Sequence, residues 1–129
     1  MALEGARVAC SDINEKGLAE TVEMIGRAPA EVRTYVCDIA DPVAGRQTID
    51  RCAREFGGLD VLCNIAGMGN MRHTEEVRAE EWNRILAVNL NGTFFMSQAA
   101  LPHLLARKGS SIVNVASLAG LIGQAYCAA

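Results

Sequence analysis

The sequence is poor in aromatic residues and carries no long apolar run. Only 5% of its residues are Phe, Trp or Tyr although 50% are hydrophobic, so aliphatic side chains must fill the interior. This composition favours packed layers of helix and sheet over an aromatic-rich sandwich or barrel. No apolar stretch is close in length to the roughly 20 residues that a membrane-spanning helix needs. The first residues lack a basic segment followed by an apolar one, so a signal peptide is not supported.

A basic tract is also missing, and the cysteines form no C-x-x-C pair. Acidic and basic residues are interspersed and sum to a formal net charge of −3, so we expect neither nucleic acid nor a membrane as a partner. The odd number of cysteines, 5, and their scattered positions argue against a zinc site and a thioredoxin-type redox motif. We expect free thiols, no metal, and a cytoplasmic location.

Strand-like and helix-like segments alternate along the chain. Short β-type runs are predicted at residues 6–10, 32–37, 61–63 and 112–116. Apolar residues recur with helical spacing at 18–25 and 43–56, and a longer helix is expected from about 79 towards 106. The pair Asp41-Pro42 marks a helix start, since a capping residue precedes a proline at the first helical position. The alternation predicts one α/β domain over residues 1–129, a Rossmann-like doubly wound parallel sheet.

The beginning of the chain departs from that architecture. Residues 1–5 resemble the end of a helix with a glycine stop, and a strand follows at once. A doubly wound domain normally opens with a strand, a glycine-rich turn and a whole helix. We therefore expect an incomplete sheet, without the first strand and its turn and without the last strands.

Short polar or glycine residues come after three consecutive predicted strands. Asp12 follows the first, Asp38 the second, and the segment Asn64-Ile-Ala66-Gly67 the third. Ligands of open α/β sheets bind outside the carboxyl ends of the strands. An acid placed like Asp12 binds the ribose hydroxyls of a dinucleotide and repels a 2′-phosphate, which favours NAD over NADP. The same residues also suit helix caps and turns, so this pattern alone leaves both readings open.

Further along the chain, three residues suit proton-transfer chemistry. Asn89 lies in the long predicted helix, where its side chain competes for backbone hydrogen bonds, and Gly92 follows it, so a break or bulge is expected there. Ser117 follows the last predicted strand and Tyr126 comes nine residues later. A hydroxyl close to a phenol is suited to acid–base work on an alcohol or carbonyl. A phenol in that role needs a neighbouring cation to favour its ionised form.

Taken in order, these segments resemble the classical short-chain dehydrogenase/reductase family. Besides Asp12 and Tyr126, the matching sequence segments are CDIAD at 37–41, NIAG at 64–67, VNLNG at 88–92 and VNVASLAG at 113–120. The resemblance covers essentially the whole chain. It implies hydride transfer between NAD(P) and a secondary alcohol or ketone, and a possible oligomer through the long helix around residues 82–105.

The resemblance also assigns roles to residues. Cofactor binding would involve Asp12 at the ribose, Asp38 near the adenine, and a cleft lined by Asn64, Ala66 and Gly67. Asn89 would hold a water of the proton relay, Ser117 would polarise the substrate oxygen, and Tyr126 would be the general acid/base.

The chain departs from the family pattern in ways that bear on activity. The glycine-rich turn and the lysine that follows the tyrosine are absent, and the interval from Ser117 to Tyr126 is a few residues short. We therefore expect a fragment that is inactive alone. The alternatives are a non-catalytic binding or scaffolding module and an unrelated doubly wound protein such as a methyltransferase.

Overall fold

The computed structural model describes residues 1–128, and its strands and helices alternate as the sequence predicts. The strands are β1 (Val8–Asp12), β2 (Val32–Val36), β3 (Val61–Asn64) and β4 (Ser111–Asn114). The α-helices are α1 (Glu15–Ile25), α2 (Pro42–Phe56), α3 (Ala79–Leu86) and α4 (Thr93–Leu105). A π-helical segment, Ala87–Gly92, joins α3 to α4.

The strands form two parallel pairs and not one continuous sheet. β1 pairs with β2 so that Asp12 lies opposite Val36, and β3 pairs with β4 so that Asn64 lies opposite Asn114. Within residues 1–128, no strand bonds to the other edge of β1 or of β3. In the usual strand order of a doubly wound sheet, a central strand lies between the equivalents of β1 and β3. The predicted parallel, incomplete sheet is therefore confirmed, and its incompleteness takes the form of this central gap.

Helices α2 and α4 pack together and carry the core. The buried cluster contains side chains of α2, β3 and α4: Ile49, Leu62, Met96, Ala99, Ala100 and Leu104. Ala99 and Ala100 are 1% and 0% exposed, and such small side chains let the two helices approach closely. On its other side α2 is tied to β2, because Glu55 accepts hydrogen bonds from Arg33 (2.7 Å) and Tyr35 (2.8 Å). α2 therefore connects the two strand pairs.

The start of α2 and the break in the long helix were predicted correctly. The Asp41 carboxylate accepts hydrogen bonds from the backbone N–H groups of Val43 (2.8 Å) and Ala44 (3.2 Å), and Pro42 opens the helix. Near Asn89 the helix widens into the π-helical segment, which ends at Gly92. At the amino end a short 3-10 helix, Ala2–Glu4, stops at Gly5, whose φ of 88° is left-handed.

Several predicted boundaries and two predicted buried positions were wrong, one of them Val22 on the apolar face of α1, which is 39% exposed. β1 begins at Val8, opposite Val32, because strand pairing is possible only where β2 is extended alongside it. Asp12 is the last residue of β1 and Asn64 the last residue of β3, so neither follows its strand as predicted. β4 ends at Asn114, so Ser117 lies beyond the strand end. Val43, predicted to line the apolar face of α2, is 64% exposed, because it lies in the first turn.

No helix within residues 1–128 combines the length and apolarity required to cross a membrane. The described part of the chain contains no cluster of three or more His, Cys, Asp or Glu side chains that could hold a metal ion. The five cysteines are free.

Candidate active site and cofactor cleft

Asp12 presents an exposed carboxylate at the end of β1. Its Oδ1 accepts a hydrogen bond from the backbone N–H of Asn14 at 2.8 Å, whereas Oδ2 has no partner among the described residues. The backbone carbonyl of Asp12 accepts from Cys37 N–H at 3.0 Å, which brings the segment that carries Asp38 alongside. The end of β1 therefore has acceptor capacity for a hydroxyl-bearing ligand.

Asp38, just beyond β2, is held by Arg84 of α3. The guanidinium donates two hydrogen bonds to the carboxylate, Nη1 to Oδ2 at 2.8 Å and Nη2 to Oδ1 at 3.2 Å. Asp38 Oδ1 also accepts from Ala40 N–H at 3.0 Å. The Arg84 guanidinium holds the pKa of the Asp38 carboxyl below its ordinary value, with a smaller contribution from Ala40. Asp38 is therefore an ionised, oriented acceptor.

Asn64 ties the tips of β3 and β4 to helix α4. Its Nδ2 donates to Asn114 Oδ1 across the strand pair at 2.8 Å and to Ser97 Oγ on α4 at 3.0 Å. Ser97 in turn donates to the backbone carbonyl of Thr93 at 2.7 Å. Both hydrogens of the Asn64 amide are therefore used inside the protein, and its carbonyl oxygen is the side-chain atom left for a ligand.

Asn89 holds the loop that follows β3. Its Nδ2 donates to the carbonyl of Met68 at 2.7 Å, and its Oδ1 accepts from the Met68 N–H at 2.9 Å. The side chain thus pairs with the loop backbone as a neighbouring strand would. Ala66 and Gly67 are exposed in the same loop, and a methyl group at Gly67 would lie 3.6 Å from Asn89 Oδ1, an ordinary contact. Packing therefore does not require a glycine at position 67. Because Gly67 has no side chain, the space beside the loop stays open.

Ser117 and Tyr126, two of the three residues predicted for proton transfer, contact different partners. The Ser117 hydroxyl accepts a hydrogen bond from Ala119 N–H at 3.2 Å. The Tyr126 ring meets His73 edge-on, with ring centroids 4.8 Å apart, and its carbonyl accepts from Arg72 N–H at 2.9 Å. Tyr126 has a φ of 65°, which is uncommon for a residue other than glycine. Within residues 1–128, no hydrogen bond joins Ser117 to Tyr126.

The π-helical segment and its flanks bring most of the predicted site together. Arg84 fixes the loop after β2, Asn89 fixes the loop after β3, and Ser97 fixes the tip of β3. The ends of β2 and β3 therefore lie along one stretch of helix, although their strand pairs share no hydrogen bond. Asp12 joins the group through Cys37.

Sequence reasoning missed several residues that hold the site in place. Asn114 had a detectable signal, since an amide stands inside an otherwise apolar strand. Ser97 is a polar residue in an apolar helix, and Arg84 is one of many charged residues on an exposed helix face, so neither stood out. His73 is an exposed residue outside the helices and strands whose ring contacts that of Tyr126, and no local signal predicted that contact.

Comparison with known proteins decides the family. The family model for short chain dehydrogenases matches residues 1–129. D-threitol dehydrogenase of Mycolicibacterium smegmatis is 37% identical over 131 residues, a match that covers 98% of this chain. The chain belongs to the short-chain dehydrogenase family. Sorbitol dehydrogenase of Cereibacter sphaeroides is 38% identical over 134 residues, covering 97% of this chain.

Solved structures of the same family have the same fold. NAD⁺-bound xylitol dehydrogenase superposes with a TM-score of 0.91 at 31% identity over 98% of this chain. A glucose/ribitol dehydrogenase from Brucella melitensis gives 0.86 at 30% identity over 95%. The chain spans 50% of the length of the threitol and sorbitol dehydrogenases, and 49% and 51% of those two structures. The short-chain dehydrogenase fold is therefore present over about half of its usual extent.

Proposed function

We propose that residues 1–129 form a single, partial NAD-binding domain of an oxidoreductase that transfers a hydride between the nicotinamide and a secondary alcohol or ketone. The observation that carries this proposal is the convergence of the loops after β2 and β3 on one helical segment through Arg84 and Asn89. Dehydrogenases of threitol, sorbitol and xylitol are among the relatives. A polyol or the corresponding ketose is accordingly the substrate class that we favour.

The donor and acceptor groups on the strand tips fit a dinucleotide. Asp12 has a free, exposed carboxylate oxygen for the two hydroxyls of the adenosine ribose, and its charge disfavours a 2′-phosphate. Asp38 lies beside it for the adenine, while Asn64, Ala66 and Gly67 line the path towards the nicotinamide. When bound, the nicotinamide ring accepts or releases the hydride. These side chains bind and orient the cofactor and take no part in the redox step.

Three residues would handle the proton. Ser117 uses one acceptor position for Ala119 N–H, so its O–H remains free to donate to a substrate oxygen. Tyr126, 51% exposed, would give a proton to that oxygen or take one from it. Asn89 keeps the loop after β3 in place and would hold the water through which the proton leaves. Its amide uses one N–H and one oxygen lone pair on Met68, so its second N–H and second lone pair, which have no partner among the described residues, are available to that water.

Self-association through the long helix belongs to the same proposal. Apolar side chains are exposed on α3, the π-helical segment and α4. They are Trp82 (39% exposed), Leu90 (62%), Phe94 (58%), Leu101 (44%) and Leu105 (80%). Such a surface is suited to a second copy of the chain. A monomer by light scattering at concentrations up to about 0.1 mM would contradict this part of the proposal.

Cofactor binding can be tested directly by titrating NADH and NADPH into the protein and following nicotinamide fluorescence. NADH should bind more tightly than NADPH, and Asp12→Ala should reduce that preference by about tenfold, since one charge repulsion is removed. Glu23→Ala on the exposed face of α1 removes the same charge elsewhere and should leave the preference unchanged. An unaltered preference in Asp12→Ala would refute the role of Asp12.

A non-catalytic binding module is the second candidate, and it is kept because no hydrogen bond joins Ser117 to Tyr126 within residues 1–128. Misplacement of a catalytic group by about 1 Å is already costly. The isolated chain should therefore bind NADH without oxidising or reducing alcohols and ketones above background. Steady NAD-linked turnover that disappears in Tyr126→Phe would contradict this expectation and establish catalysis by the chain itself.

A further inference from the structure

Arg84 occupies an unusual position relative to the proposed cofactor cleft. It lies on α3, 46 residues after Asp38 in the chain, yet its guanidinium forms a two-pronged pair with the Asp38 carboxylate. The side chains are 40% and 35% exposed, so the pair lies at the rim of the fold and not in the core. A second contact fixes the same loop, because Ile39 packs against Gly92. Residues 38–39 are thus held by the helix at two points.

The Asp38 carboxylate has few hydrogen-bond acceptor positions left for a ligand. An ionised carboxylate offers about four lone-pair positions, two on each oxygen. Oδ1 accepts from Arg84 Nη2 and from Ala40 N–H, whereas Oδ2 accepts only from Arg84 Nη1. A single position, on Oδ2, is left without a donor among the described residues. Because both prongs of Arg84 are engaged, the direction of that last acceptor is fixed.

We infer that Arg84 is a positioning residue for the cofactor, which orients Asp38 so that its one remaining acceptor receives the exocyclic amino group of the adenine. This inference rests on the proposed NAD function. It assigns Arg84 no contact with the cofactor and no part in the reaction. It predicts that recognition of the adenine amino group depends on the fork geometry of the guanidinium as well as on the presence of Asp38.

The test compares NAD with nicotinamide hypoxanthine dinucleotide, in which a carbonyl replaces the adenine amino group. Calorimetric titration of the unaltered chain should give about three- to tenfold tighter binding of NAD, the value of one hydrogen bond. Arg84→Met should reduce this ratio to about one, and Arg84→Lys, which keeps the charge without the fork, should give an intermediate ratio. Arg78→Met, at the exposed start of the same helix, should retain the full ratio.

The ratio of the affinities for the two dinucleotides distinguishes a positioning role of Arg84 from a general loss of folded structure. A variant that is partly unfolded loses affinity for both dinucleotides equally, so its ratio stays that of the unaltered chain. Retention of the full ratio in Arg84→Met would overturn the inference, as would equal binding of both dinucleotides by the unaltered chain; in either case the proposed NAD function stands. Failure of the unaltered chain to bind NAD at all would overturn both.

Discussion

Gly92 is the position at which a single methyl group should disturb both the fold and the proposed cofactor cleft. Its φ of −58° and ψ of −52° are helical, so alanine can adopt the backbone without strain. A Cβ atom there would lie 2.8 Å from Ile39 Cδ1 and 3.1 Å from the Ile39 carbonyl oxygen. The side-chain tip can rotate away. The carbonyl cannot move without shifting the loop that carries Asp38.

Two opposing effects set the size of the change. Replacing a helical glycine with alanine stabilises by about 1 kcal/mol, while an extra methyl group in a packed contact costs about 1–3 kcal/mol. We therefore expect Gly92→Ala to lower the free energy of unfolding by about 1 kcal/mol. For a chain of this size that corresponds to a fall in Tm of roughly 3–5 °C. NADH affinity should fall as well, because Asp38 moves with Ile39.

Gly45→Ala in α2 is the matched control. Its Cβ would also meet a neighbour at 2.8 Å, but that neighbour is the sulfur of Met96, near the end of a flexible side chain. This variant should gain helix propensity, lose less to crowding, and leave NADH binding unchanged. Thermal unfolding followed by circular dichroism, with NADH titration at 20 °C, compares the two. An equal or greater loss of stability in Gly45→Ala would refute the argument that the rigid carbonyl determines the cost.

Three other changes test separate contacts. Gly58→Ala should lower the free energy of unfolding by about 1–3 kcal/mol in a urea titration, because its φ of 142° is one that residues with a side chain rarely adopt, whereas the flexible guanidinium of Arg107 can move aside. The pKa of Glu55 is lowered from 4.5 to about 2, chiefly by hydrogen bonds from Arg51, Arg33 and Tyr35. The contribution of the Glu55 carboxylate to the free energy of unfolding is therefore complete above pH 4.5 and is lost as the pH falls towards 2. The stability difference between the unaltered chain and Glu55→Gln should shrink across that window, and a constant difference would contradict this assignment. Asn89→Ala should speed amide hydrogen exchange at Met68 about tenfold, and an unchanged rate would show that the loop is held by other contacts.

The strand–helix alternation was predictable because each element carries its own local signal. Apolar runs indicated the strands. The Asp41-Pro42 pair predicted the first residue of α2 correctly. The strand boundaries were less accurate, since the end of a strand depends on where its partner runs. Val8 begins β1 only because Val32 lies opposite. The division into two pairs likewise depends on which strands are adjacent in space, and periodicity does not encode that.

The candidate site was predictable in its outline but not in its contacts. Asp12, Asp38, Asn64 and Asn89 were found from their places after strands or within a helix. Apart from the neighbouring N–H groups of Asn14 and Ala40, the partners that fix them are separated from them in sequence by 21 to 50 residues, as with Asn89 and Met68 or Asn64 and Asn114. No local pattern predicts such pairs.

The site geometry is maintained by side chains more than by the sheet. Among the residues that the structure describes, β1 and β3 each have no hydrogen-bonded neighbour on one edge, so backbone pairing does not fix one strand pair relative to the other. The constraint comes from α2, which packs on both pairs, and from the helix that carries Arg84, Asn89 and Ser97. Each of these three side chains, in a different turn, anchors a different strand tip or loop. Because Arg84 and Asn89 lie on one continuous helical stretch, the segment that carries Asp38 and the loop after β3 are anchored to the same element.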